Sequence, residues 1–334
     1  MVFFKSLVLA VLTAFAAMPA FAEDLPTLNV YTYDSFASDY GPGPGLKKGF
    51  EADCKCTLKF VAIDSAIGAL RRVQLEGATT SADVLLGLDT SVAGEARATG
   101  LFAPHGLDLS GLALPNKWTD PDFVPFDFGY FAFVYDKNKV ANPPKSFEEL
   151  IAEPANFKIA LEDPRSDTPG LGLLLWVRAA YGDKAADIWK GLKPHIATMA
   201  RSWDDAYSLF LKGEADMALS YTTSPAYHAI EEKKPNYAFA EFSEGHYPQI
   251  EVAGIVKSSK QQALAKAFLS YLTSAPAQKI IPTTNWMYPV LDIGSDLPPE
   301  FNTQPKPAKL LSLDETTITA NKGKWIDDAL AAIR

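Results

Sequence analysis

The 334-residue chain is short of the residues that most metal and redox chemistry needs: it has two cysteines and four histidines. Two cysteines cannot complete a structural zinc site or build a multi-disulfide framework. His105, His195, His228 and His246 are scattered along the sequence and read as surface or hydrogen-bonded core residues. Positive charge is also scarce, with 31 Lys and Arg against 40 Asp and Glu and a formal net charge of −9. That balance argues against nucleic acid as a partner, which needs a basic surface. Enzyme signatures are missing as well: there is no GxSxG elbow, no HExxH and no GxxxxGK[ST] loop. The run Gly41-Pro42-Gly43-Pro44-Gly45 is a turn signal and a poor phosphate cradle, because its prolines lack N–H groups. No repeat or low-complexity tract is visible. Beyond the first residues, no apolar run is long enough to span a bilayer.

What the chain does contain is apolar bulk, with 48% hydrophobic and 12% aromatic residues. That excludes a disordered chain, and the length suggests about two domains. Met1 to Ala22 reads as an export signal: Lys5, an apolar run from Leu7 to Ala17, and the cleavage pattern Ala20-Phe21-Ala22. The expected product is exported and soluble after cleavage near Ala22. Export makes a Cys54–Cys56 disulfide possible, and the sequence leaves that pairing open.

From residue 28 the pattern alternates strand and helix, as in a parallel sheet covered by helices. Strands are expected at 28–33, 57–63 and 82–87, with helices at 46–52 and 65–76. A long aromatic strand, 126–135, leads into a second alternating unit: strand 158–161, helices 169–181 and 186–192, a capping box at Ser202 opening a helix to Lys212, strand 216–221 and helix 225–232. Another long strand, 249–257, precedes an amphipathic helix carrying Leu264, Phe268, Tyr271 and Leu272. The chain thus enters a second unit near residue 128 and leaves it near 250, which defines a hinge and a cleft between lobes. Helix starts at Ser65, Thr168 (with Pro169 next) and Ser224 are candidate anion sites. Aromatic residues gather at strand ends: Tyr31, Tyr33, Tyr221, Tyr227, Trp286 and Tyr288, with Trp203 just inside a helix start. Aromatic faces hold flat rings and cations.

Several long stretches carry a family resemblance: VYTYDSFASDYGPGP (30–44), FEADCKC (50–56), ADVLLGLD (82–89), FVPFDFGYFAFVYDKNK (123–139), EDPRSDTPGLGLLLW (162–176), LFLKGEADMALSYTTSPAYH (209–228), FSEGHY (242–247) and NWMYPV (285–290). In this order they resemble the periplasmic thiamine-binding proteins of bacterial ABC importers. The resemblance implies an α/β, two-lobed type II periplasmic binding protein fold. Each lobe would be a mostly parallel sheet flanked by helices, joined by a two-strand hinge. Residues 1–22 would be the signal, 23–128 and 253–334 one lobe, and 129–252 the other. The implied function is capture of thiamine, thiamine phosphate or thiamine diphosphate and delivery to an inner-membrane ABC permease with its ATPase. A non-enzymatic, monomeric carrier without a metal or cofactor is expected.

The ligand positions implied by the resemblance are Ser65, Ala66, Asp167, Thr168, Trp203, Tyr221, Thr222, Thr223 and Ser224, with Tyr33, Tyr227 and Trp286 as further walls. The rings would stack among Trp203, Tyr221, Tyr227 and Trp286, with a phosphate end toward the helix starts near Ser65 and Thr168. Three positions depart from the family pattern. Ser65-Ala66 stands where Asp-Gly is expected, Asp167 where Ser is expected, and Tyr40 where Trp is expected. An acidic Asp167 would weaken binding of phosphorylated forms. Two rival readings share the fold. One is a carrier of ferric iron or polyamine, although no Tyr-Tyr pair of the iron type occurs. The other is a thiamine-degrading enzyme, which would need a cysteine nucleophile in the cleft.

Overall fold

The computed structural model describes residues 25–303 and 306–334. The export signal expected at 1–22 lies outside the described residues. The first elements are β1 (Thr27–Tyr33), α1 (Asp34–Ala37), α2 (Gly43–Cys54), β2 (Thr57–Ile63), α3 (Ala66–Glu76), β3 (Val84–Asp89), α4 (Thr90–Ala98) and β4 (Phe102–Ala103). The 14-residue β5 (Phe123–Asp136) follows. Then come α5 (Phe147–Ala152), β6 (Ile159–Glu162), α6 (Thr168–Tyr181), α7 (Ala185–Leu192), β7 (Ile196–Ala200), α8 (Trp203–Lys212), β8 (Met217–Tyr221), α9 (Ser224–Ile230) and β9 (Tyr237–Ala240). The chain ends with β10 (Pro248–Val256), α10 (Gln262–Leu272), α11 (Ala275–Gln278), α12 (Ile281–Thr284), β11 (Tyr288–Pro289) and α13 (Glu315–Ala332).

The main strand order is β2-β1-β3-β10-β5-β8-β6-β7. The outer strands are parallel on both sides: β2, β1 and β3 on one, β8, β6 and β7 on the other. The long strands β5 and β10 lie between them and run antiparallel to their neighbours. Residues 123–130 of β5 pair with β10, and residues 131–136 pair with β8 and β9. One continuous strand therefore belongs to both halves of the sheet. Its first 13 residues are all buried, which is why FVPFDFGYFAFVY has no polar face: it is covered on both sides.

The helices of the first half pack Leu46, Phe50 and Phe268 against Leu28, Val30 and Leu58. The second half is built around Trp176, which is fully buried among Phe133, Phe147 and Phe242. The Trp176 indole N–H donates to the Gly245 carbonyl at 2.7 Å, so this large side chain buries no unpaired donor.

Four details differ from the sequence expectations. Helix α2 begins inside the Gly/Pro run, at Gly43, because proline fits the first helical turn, where N–H groups need no intrahelical partner. The cap of α6 is Asp167 rather than Thr168, and α9 begins at Ser224 with Thr223 before it. Pro169 and Pro225 are thus second helical residues. Helices α4 and α13 and strands β7 and β9 carry too weak a pattern to be read. The 18 residues of α13 bury only Ile318, Trp325 and Ala329. Cys54 and Cys56 form a disulfide at the end of α2, across a Lys55 held in the left-handed region.

Candidate functional site

The parallel strands β1, β2, β6, β7 and β8 all end toward one cleft, the position where α/β sheets carry their ligands. The cleft encloses about 580 Å³, a volume suited to one small organic molecule. Each strand end delivers its own residues. Tyr33, Asp34 and Ser35 follow β1, while Asp64 and Ala66 follow β2. Asp167, Thr168 and Pro169 open α6; Ser202, Trp203 and Asp204 open α8. Tyr221, Ser224 and Tyr227 run from β8 into α9, Glu251 comes from β10, and Asn285 and Trp286 come from the segment before β11.

Most of the expected site residues meet there. Tyr33, Ala66, Asp167, Thr168, Trp203, Tyr221, Ser224, Tyr227 and Trp286 all line the cleft. Ser65, Thr222 and Thr223 lie behind the wall. Ser65 caps α3 through Gly68 N–H at 3.0 Å, and its hydroxyl donates to the Ser166 carbonyl at 2.6 Å. Thr222 and Thr223 are buried in the turn from β8 to α9. Of the four histidines, none lines the cleft.

The aromatic walls are held from behind. Trp203 stacks on Tyr207 with centroids 4.9 Å apart; the Tyr207 hydroxyl is hydrogen-bonded to His228 Nε2 at 2.8 Å, and Tyr237 stacks on the His228 ring at 3.7 Å. The Trp203 indole N–H donates to Ser220 Oγ at 3.0 Å, and Ser220 is in turn hydrogen-bonded to Ser224 at 2.8 Å. Tyr221 stacks on Phe131, and its hydroxyl donates to Gln249 at 2.5 Å. Tyr227 meets Trp286 edge to face at 5.2 Å. Trp286 has φ +56°, a left-handed backbone that costs a bulky residue about 1–2 kcal/mol. Tyr33 lies against Gly87: a Cβ at 87 would stand 2.4 Å from the Tyr33 ring, and φ there is +98°. Only glycine lets β3 pass so close beneath that ring.

The charged lining is acidic, and apart from Asp167 it was not legible in the sequence. Asp34, Asp64, Asp167, Asp204, Glu231 and Glu251 line the cleft, and no Lys, Arg or His joins them among the described residues. Burial pushes the Asp167 carboxyl up to about 7, and the charges of Asp34 and Asp89 add to the shift. Asp34 is raised by burial and then by Asp204 and Asp64. Glu251 is raised by burial and by the facing Asp127. A group of carboxyls that raise one another is a site prepared for a cation.

The cleft is bridged at its rim. The Tyr40 hydroxyl, reached from the β1 side, donates to Asp204 on α8 at 2.8 Å. The Ser65–Ser166 hydrogen bond crosses in the same direction.

A long strand shared by two sheet halves, with a ligand-sized cleft between their strand ends, is the arrangement of a solute-binding protein. The chain belongs to the family of bacterial extracellular solute-binding proteins, which it matches over residues 31–279. It is 51% identical to the thiamine-binding periplasmic protein of Salmonella typhimurium, over 95% of this chain and 96% of that one. Identity to the thiamine-binding periplasmic protein of Escherichia coli is 50%, over 94% and 95% of the two chains. A solved periplasmic thiamin binding protein superposes with a TM-score of 0.91 at 49% identity, covering 96% of this chain and all of that one. The ferric binding protein from Campylobacter jejuni shares the fold alone, with a TM-score of 0.75 at 21% identity over 91% and 99%. The fold is thus the type II periplasmic binding fold.

Proposed function

We propose that the protein captures thiamine in the cleft and delivers it to an ABC importer in the membrane. The observation that carries this reading is the pairing of aromatic walls with a lining whose charged residues are all acidic. Thiamine is two flat rings, one of them a permanent cation. Rings of this kind stack on Trp203, Tyr221, Tyr227 and Trp286, and a cation gains both from the ring faces and from the carboxyls around them. The relatives that share half of its residues over nearly the full chain carry thiamine in their names.

In this reading residues 23–128 and 253–334 form one lobe and 129–252 the other, with β5 and β10 as the hinge. Residues 1–22 direct export to the periplasm and are removed near Ala22. Closure buries the ligand and presents a joined surface to the permease with its ATPase, and the carrier works as a monomer. Iron carriage fits less well. Among the described residues no group of His, Cys, Asp and Glu is arranged to hold a metal ion, and the Tyr221 hydroxyl is committed to Gln249. Thiamine cleavage lacks its nucleophile, since Cys54 and Cys56 are joined and do not line the cleft.

Native mass spectrometry of the protein, incubated with a mixture of thiamine, spermidine and ferric ion, tests the proposal. One intact thiamine per chain is expected. A ferric or spermidine adduct in its place, or release of free pyrimidine, would overturn it.

A further inference from the structure

We infer that the cleft prefers unesterified thiamine over its phosphate esters, because Asp167 caps the start of α6 on the cleft wall and every charged residue of the lining is acidic. This rests on the thiamine reading above and adds which form of the vitamin is taken.

A phosphate needs donors or cations, and a helix N-terminus is its usual backbone site. Three helices of eight residues or more start on the cleft wall: α3, with 11 residues, α6, with 14, and α8, with 10. Asp167 immediately precedes α6 and is only 7% exposed. Its carboxyl accepts from Thr168 N–H at 3.1 Å, at the start of α6. This side chain thus fills the anion position at the start of α6.

Several neighbouring backbone donors are missing or committed too. Pro169, next in α6, has no N–H. At α3 the first-turn N–H of Gly68 goes to Ser65 Oγ, and the Ser65 hydroxyl is given to Ser166. At α8 the Ser202 hydroxyl accepts from Asp205 N–H at 3.4 Å.

No cationic side chain among the described cleft residues offsets this, and Asp34, Asp64, Asp204, Glu231 and Glu251 face the same space. Arg165, close in sequence, is held by Asp163 through both its Nε and a terminal nitrogen. An ester phosphate entering here would lose water, find the N–H groups of Thr168, Gly68 and Asp205 already used, and meet like charge. The thiazolium cation gains from the same carboxyls that reject the phosphate. Selectivity therefore comes from a repulsive element as well as an attractive one.

Calorimetric titration of the full chain with thiamine, thiamine monophosphate and thiamine diphosphate tests this. The esters are expected to bind at least about tenfold more weakly than thiamine, the diphosphate most weakly. Asp167→Ser removes the charge and uncovers an N–H group. It should narrow the diphosphate-to-thiamine ratio of Kd values by at least about threefold, whatever it does to thiamine itself. Asp167→Asn, which keeps an acceptor over the start of α6, should narrow the ratio less. Esters that bind the wild type as tightly as thiamine would overturn the inference, and so would an unchanged ratio in a folded Asp167→Ser protein. The wild-type comparison decides the matter even if neither variant folds. A wild type that binds none of the three would instead overturn the thiamine reading itself.

Discussion

Asp127 on β5 and Glu251 on β10 face each other directly in the antiparallel ladder, two buried carboxyls in one register pair. Asn285 donates to both, at 2.6 Å and 3.2 Å, and the Tyr33 hydroxyl donates to Glu251 at 3.0 Å. Both carboxyls are pushed up, first by burial, and Glu251 also by the charge of Asp127. Burial and like charge thus favour the protonated form of this pair. They lie where the two central strands cross between the sheet halves, and Glu251 and Asn285 open onto the cleft. The hinge and the ligand site therefore share one titratable pair.

The ligand-free protein should be more stable at acid than at alkaline pH. Asp167 is raised to about 7 and Asp89 to about 6, chiefly by burial, against an unfolded value near 4. Between those limits the folded chain holds more protons than the unfolded one. The stability this contributes is complete below about 4 and is lost as pH rises through about 7. Calorimetric melts across that window should show Tm falling with pH, and Asp127→Asn should flatten the fall. A Tm that climbs steadily through the window would contradict this assignment.

Ligand binding should release protons. A permanent cation beside Asp167 and Glu251 favours their ionised forms and draws their pKa values down. Affinity for thiamine should then rise with pH through about 7. Titrations in buffers of different ionisation enthalpy should give apparent heats that vary with the buffer. Identical heats in all buffers would show that these carboxyls do not face the ligand.

Trp203→Ala should weaken thiamine binding by about 2–4 kcal/mol, the range of a buried aromatic anchor. Trp203→Phe should lose less, because it keeps a stacking face on Tyr207. Trp203 is only part-buried, so both variants should melt close to the wild type. Equal affinity in Trp203→Ala and wild type would remove Trp203 from the binding surface.

Tyr40→Phe should speed thiamine dissociation by about two- to fivefold, with association little changed. It deletes the Tyr40–Asp204 hydrogen bond that spans the cleft, and Tyr40 is 64% exposed, so the loss is at most about 1 kcal/mol. Stopped-flow tryptophan fluorescence reads both rates. An unchanged dissociation rate would mean that the contact does not hold the closed form.

Much of this arrangement was legible in the residues. The alternation placed β1, β2, β3, β6 and β8 of the outer strands, and FDFGYFAFVY marked the strand shared by both halves, because only a strand covered on both faces can be so uniformly apolar. The aromatic walls were legible as well, since Tyr33, Tyr221 and Trp286 fall at strand or segment ends. Two kinds of feature were not. Helix α13 buries too few residues for a periodic stripe, and α4 is short and rich in alanine. The acidic lining comes from Asp34, Asp64, Asp204, Glu231 and Glu251, which are far apart in sequence and converge only through the fold. The net charge of −9 hinted at it without locating it.

The central claim is that this cleft binds thiamine, and equilibrium titration of the ligand-stripped protein with thiamine tests it most directly. Tryptophan fluorescence should change saturably, with one site per chain and a Kd of about 1 µM or tighter. Excess spermidine should not displace the ligand. No saturable change at micromolar thiamine, or displacement by spermidine at comparable concentration, would contradict the account.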